Sequence, residues 1–139
     1  MESIAFTIPG KPMGKARPRV TKRGFAYTPA PTVNYENLVK FYFHQRAEET
    51  GWKLKESENI SIVICARFEI PKSISKKKRA LMINGEVRPV KKPDWDNIGK
   101  IICDSLNGIA YHDDSQIVRG SVEKVYDECP RVDVIISAE

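Results

Sequence analysis

Five aspartates crowd into the stretch from Lys92 to Ile117, KPDWDNIGKIICDSLNGIAYHDDSQI, in a chain whose formal net charge is +5. They are Asp94, Asp96, Asp104, Asp113 and Asp114, with Lys100 among them. Neighbouring carboxylates raise one another's pKa, so a fold that gathers them must also supply a cation. A divalent ion is the simplest neutraliser, and hard oxygen ligands suit magnesium or manganese. An acidic metal site inside a basic surface is what chemistry on phosphodiesters requires.

The order of residues within this stretch narrows the geometry. Ile98, Ile101, Ile102, Ser105 and Leu106 recur at helical spacing and predict a helix over 97–106, closed by the Asn107-Gly108 turn. Pro93 disfavours helix at Lys92, so Asp94 and Asp96 are expected in extended chain just before the helix, where side chains two apart share a side. The positive end of the helix dipole helps to hold ionised carboxylates there. Lys100 lies four residues beyond Asp96 and shares its face, where its ammonium can meet a scissile phosphate or a departing oxygen. If the sheet returns Asp113 and Asp114 to the same place, a three- or four-carboxylate magnesium site results, able to activate water and stabilise a leaving oxygen. Each fragment also has a plainer explanation. P-D-W-D-N alone is a turn plus helix cap, and D-D-S before a strand is a common turn. Asp104 reads as a surface residue or one supporting the ligands from behind. His112 could be a base or ligand, His44 reads as structural, and Trp95 could pack or stack on a base.

The positive charge is concentrated. Residues 11–24, KPMGKARPRVTKRG, hold Lys11, Lys15, Arg17, Arg19, Lys22 and Arg23 and no acid. Between Lys72 and Lys92 lie Lys76, Lys77, Lys78, Arg79, Arg88, Lys91 and Lys92 against Glu86 alone. Such segments attract polyanions, and phosphate contacts dominate nucleic-acid affinity. A solvated lysine-rich face is the plainer reading of KKKR at 76–79. In the first stretch, prolines and glycines between the arginines favour a fixed extended loop.

The other elements predict an α+β fold: a small mixed β-sheet packed by two main helices, in one domain over residues 1–139. Strands are expected at 3–8, 59–70, 116–126 and 132–137, with Pro130 in the last turn. A hairpin is expected around TKRG, with Gly24 supplying the positive φ. A first helix is expected over 32–50 and a short one over 75–84, capped by Ser75 and stopped by Gly85, with 87–91 extended. The 32–50 segment carries apolar residues on more than one face, which predicts burial on two sides, by sandwiching within the chain or by a subunit contact. No apolar run approaches the ~18 residues of a membrane span, and the N-terminus lacks the pattern of a signal peptide. Cys65, Cys103 and Cys129 form no C-x-x-C, which argues against a disulfide framework, and with Cys65 and Cys103 in apolar settings they read as buried structural thiols, in keeping with a cytoplasmic location.

Taken together, KPDWDNIGK (92–100), DSLNG (104–108), DDSQI (113–117) and the N-terminal GKPMGKARPR resemble the RusA family of Holliday junction resolvases. The resemblance spans most of the chain. It implies a small α+β fold, a homodimer and magnesium-dependent cleavage of four-way junction DNA in recombination and repair, each subunit nicking one of two opposed strands. By motif position, Asp94, Asp96 and Asp114 match the catalytic carboxylates, Lys100 the motif lysine, and Asp113 a neighbouring acid that is a possible extra ligand. The motif assigns nothing to His112 or Trp95. A viral or prophage source fits the resemblance. A catalytically inactive junction-binding module and a less selective branched-DNA nuclease are the competing readings.

Overall fold

The computed structural model describes residues 1–139. Four strands form one mixed sheet: β1 (Glu2–Pro9), β4 (Ile60–Glu69), β5 (Ile117–Asp127) and β6 (Arg131–Ala138). Its order is β1-β6-β4-β5, with β6 antiparallel to both neighbours and β4 parallel to β5. A parallel pair needs a crossover connection, and here it carries α2 (Lys76–Ile83) and α3 (Trp95–Ser105). The fold is therefore α+β, with α1 (Ala30–Thr50) and α3 as its main helices.

Strict alternation along the strands sorts their side chains into two faces. Ile4, Phe6 and Ile8 of β1, Ile60, Ile62, Ile64, Ala66 and Phe68 of β4, and Val132, Val134 and Ile136 of β6 are buried beneath the helices. From α3 come Ile98, Ile101 and Ile102, followed by Leu106, and from α1 come Tyr35, Val39 and Phe43, all in the same core cluster. The opposite face of the sheet is open: Val63 and Ile135 are exposed, among ion pairs linking Arg67 to Asp127 and Asp133.

The expected hairpin is present. β2 (Arg19–Val20) pairs with β3 (Ala26–Tyr27), and Gly24 turns the chain at φ +85°. Ser75 caps α2 by accepting from the Lys78 amide, and Gly85 follows it at φ +86°.

Three expectations need correction. The first helix starts at Ala30, because Pro31 sits in the first turn, where a missing N–H removes no intrahelical bond. Sandwiching of that helix within the chain is excluded, which leaves a subunit contact as the other reading of its second apolar face. Thr32, Tyr35, Val39 and Phe43 are buried and Tyr42 and Ala47 pack partly buried against the same core, while Val33, Leu38 and Phe41 are exposed. The thiols are not fully buried: Cys65 and Cys103 are only partly buried and Cys129 is exposed.

Candidate active site

The helix bearing the acidic stretch begins two residues earlier than its apolar pattern predicts. Asp94 is the N-cap, at φ −68° and ψ 151°, and Asp96 lies within the first turn. The Asp94 side chain makes no capping hydrogen bond, so its carboxylate is left free. Asp94 and Asp96 therefore do not share an extended strand. Asp96 and Lys100 do keep the expected i, i+4 relation on α3, and the series continues to Asp104.

The Asn107-Gly108 turn brings the second pair of acids back, but to the other end of the helix. Gly108 takes φ +73° and its N–H donates to the Tyr111 carbonyl. Tyr111 is buried and its hydroxyl donates to the Cys103 carbonyl at 2.8 Å. The Lys55 amide donates to the Ala110 carbonyl, and the His112 amide to the Lys55 carbonyl. The Asp114 amide then donates to Asn107 Oδ1 at 2.8 Å. These ties bring Asp114 near enough to Asp104 for the two carboxyls to interact. Partial burial, then the charges of Asp113 and Asp104, push Asp114 above the usual carboxylate range.

Asp113 has a different task. Its carboxylate accepts from the Ser115 amide at 3.0 Å and, with Gln116, forms a capping box on the short 3-10 turn Asp114–Gln116. That hydrogen bond holds its pKa below the ordinary value. Asp113 thus caps its own turn, whereas the Asp114 carboxyl lies toward Asp104.

No three His, Cys, Asp or Glu side chains gather closely enough to form a metal cage. The acids lie at the two ends of α3 instead, since eight residues of helix separate Asp96 from Asp104 by about 12 Å along the axis. Lys100 stands between them, its ammonium 3.5 Å from Asp104 Oδ2. This donor set does not suit an ion enclosed by protein alone. It does fit magnesium, which keeps several waters and uses one or two carboxylates plus substrate phosphates. Asp114, held beside Asp104 with its proton affinity raised, is the kind of carboxyl that a divalent cation would relieve.

Asp104 is the residue that sequence reasoning undervalued. The signal was available in its i, i+4 spacing from Lys100, but its contact with Asp114 depends on the non-local ties through Tyr111 and Lys55.

The basic N-terminal loop lies across the start of α3. The Lys15 amide donates to the Asn97 carbonyl at 3.0 Å, and the Ala16 amide to Thr32 Oγ1 at 3.3 Å. Gly14 permits this contact: a Cβ there would stand 2.9 Å from Pro93 Cβ and 3.1 Å from Asn97 Cβ. Lys15 turns inward, with its ammonium 2.8 Å from Glu36 Oε2 and 3.5 Å from Asp104 Oδ2. Burial alone would lower its pKa, but those two carboxylates outweigh burial and raise it. Lys15 is thus bound to protein carboxylates and is not a free phosphate contact.

The other cations of this region face solvent. A cleft of about 360 Å³ is lined by Lys11, Lys15, Lys92, Asp94 and Asn97. A second, of about 480 Å³, shares Lys11, Pro12 and Lys92 and adds Phe68, Lys72 and Lys91. The two form one trough leading to Asp94. The Lys124 ammonium lies 5.2 Å above the Phe68 ring and donates to the Lys91 carbonyl. Lys72 and Lys124 were not singled out in the sequence; Lys124 carried no local signal, because only the sheet register brings β5 beside the 91–92 loop. Arg17, Arg19, Lys22 and Arg23 are exposed on and beside the β2–β3 hairpin. Lys76, Lys77 and Lys78 are exposed on α2, whereas Arg79 is paired with Glu128 at 2.9 Å. His112 is exposed and 4.0 Å from Glu56.

No helix is long and apolar enough to cross a membrane. The family model described as "Endodeoxyribonuclease RusA" matches residues 9–137. A relative from Bacillus subtilis (strain 168), described as "Uncharacterized protein YqaN", is 36% identical over 141 residues, covering 98% of this chain and 96% of the relative.

Proposed function

The chain belongs to the RusA family of endodeoxyribonucleases, and on that premise we propose that it is a magnesium-dependent nuclease that resolves four-way DNA junctions by paired symmetrical nicks. The observation that carries this reading is the trough of Lys11, Lys72, Lys91 and Lys92 running to Asp94 at the head of α3. A polyanion is drawn along the cations, and its phosphodiester arrives where carboxylates without protein partners begin.

Asp94 and Asp96 at the head of α3 would hold one magnesium together with substrate phosphates, and Asp114 beside Asp104 a separate ion at the far end, with Mn²⁺ a possible substitute. Such an ion would supply an activated water and stabilisation of the leaving oxygen. Lys100, 60% exposed and four residues from both Asp96 and Asp104, presents its ammonium to the negative charge that develops on the phosphate. Lys15, itself held by Glu36, pairs with Asp104 together with Lys100, and Asp104 in turn contributes to the electrostatic surroundings of Asp114. The exposed cations of the β2–β3 hairpin and of Lys76–Lys78 are placed to contact phosphates of the junction arms. Paired cuts on a two-fold symmetric junction require two sites related by the same symmetry, which a homodimer provides. The exposed Val33, Leu38 and Phe41 on α1 are apolar surface available for that contact.

The test is Asp96→Asn assayed on a synthetic four-way junction with magnesium. We expect junction binding to be retained and cleavage to fall by at least about 10²-fold, the scale of a lost electrostatic group in a reaction site. Nicking at the wild-type rate would remove Asp96 from the site.

A further inference from the structure

Trp95 stands between Asp94 and Asp96 in the chain, at the first position of α3, and is 57% exposed. A packing role explains this poorly. The same fold contains a packing tryptophan for comparison: Trp52 is 6% exposed and gives its indole N–H to the Ala110 carbonyl within the core. Leaving more than half of so large an apolar ring in water forfeits the burial that would stabilise the fold.

The ring is nevertheless held. Its N–H donates to the Val122 carbonyl at 2.7 Å. Val122 belongs to β5, an edge strand paired with β4 alone, and edge strands offer unpaired backbone groups. Gly99, one turn further along α3, lets the helix approach that strand: a Cβ there would lie 3.3 Å from Val122 Cγ2. One edge of the indole is thereby anchored while its surface stays in water.

An anchored, solvent-facing aromatic beside a lysine-lined trough combines the two components of unpaired-strand recognition: cations for phosphates and a π-surface for bases. In continuous duplex the base faces are covered by their neighbours. At a branch point the stack is interrupted, and a base can be presented there at lower cost. Resting on the nuclease reading above, we propose that Trp95 is a stacking platform for a base unstacked at the branch point, next to the phosphodiester met by Asp94 and Asp96. It thereby makes the site favour branched over linear DNA.

The experiment uses the full chain without divalent metal, so that binding is read without cutting. Wild type, Trp95→Phe and Trp95→Leu are titrated with a synthetic four-way junction carrying 2-aminopurine at the crossover and with a linear duplex of matching sequence. Stacking predicts quenching of wild-type tryptophan and 2-aminopurine emission by the junction. Trp95→Leu should lose about tenfold in junction affinity, and Trp95→Phe should retain most of it. Duplex affinity should stay within about twofold, because phosphate contacts set it. If wild type prefers junctions but Trp95→Leu binds them equally well, or loses junction and duplex affinity alike, the stacking role is overturned and the nuclease reading stands. If wild type does not distinguish junction from duplex, both are overturned. Thermal unfolding of each variant separates a loss of binding from a loss of fold.

Discussion

Replacing Lys15 by methionine tests whether the basic loop is built into the site or merely lies over it. The ammonium is 2.8 Å from Glu36 and 3.5 Å from Asp104, with side-chain exposures of 19%, 17% and 21% for the three groups. At 2.8 Å and an effective dielectric of about 20, the Coulomb attraction to Glu36 is about 6 kcal/mol before desolvation. Desolvation of largely buried ions cancels most of that, and hydrogen bonds to charged groups have net worth of about 1.5–3 kcal/mol. Methionine keeps the packing of the lysine stem but leaves Glu36 and Asp104 without their shared cation. We therefore expect Lys15→Met to lose about 2 kcal/mol in urea unfolding and about 6–8 °C in Tm. Glu36→Gln should lose about 1 kcal/mol, and the double variant should lose less than the sum, with a coupling of about 1 kcal/mol. Additive losses, or a Lys15→Met variant as stable as wild type, would refute the inward ion pair.

Gly14→Ala should disturb the same contact sterically. Its new Cβ would fall 2.9 Å from Pro93 Cβ, so the loop must shift, and nuclease activity should fall at least about tenfold, with stability changed by about 1–3 kcal/mol; steady-state cleavage alongside urea unfolding checks both. Acid should weaken the open face of the sheet. Burial works against ionisation of Asp133, but hydrogen bonds from Arg67 and Thr7 and the Arg131 charge outweigh it and lower its pKa; the Cys129 amide and the same arginines lower that of Asp127. Depressed carboxylates contribute stability that is complete above their unfolded value of about 4 and disappears as pH falls through the folded value. Urea midpoints measured from pH 6 downward should therefore drop below about pH 4, and Arg67→Met should flatten that drop.

How much of this could be read from the sequence depended on how local the cause was. Period-two alternation in SIAFTI and NISIVICARFEI, and the 98/101/102/105 face of α3, reflect burial that neighbouring residues already encode. The Gly24 turn and the Ser75 cap are local chemistry, and both were legible. The start of α3 was misplaced because apolar spacing marks the buried face, whereas the cap is set by backbone geometry at Asp94. The second apolar face of α1 was visible, but its exposure was not, since a pattern does not say what covers it. Lys15 looked like its basic neighbours until Glu36 and Asp104, distant in sequence, were seen to receive it. The convergence of the acids was the least legible feature. The return of residues 113–114 is fixed by Tyr111 to Cys103 and by the 55–112 pairing, which brings Asp114 to Asp104 and not to Asp94 and Asp96.

The most direct measurement is strand-by-strand mapping of cuts on a mobile synthetic four-way junction, with and without magnesium. We expect magnesium-dependent nicks at symmetric positions on two opposed strands, abolished in Asp96→Asn. Unpaired cuts scattered over the arms, equal cutting of linear duplex, or cleavage that persists in chelator would contradict the assignment of this helix and its lysine trough to junction resolution.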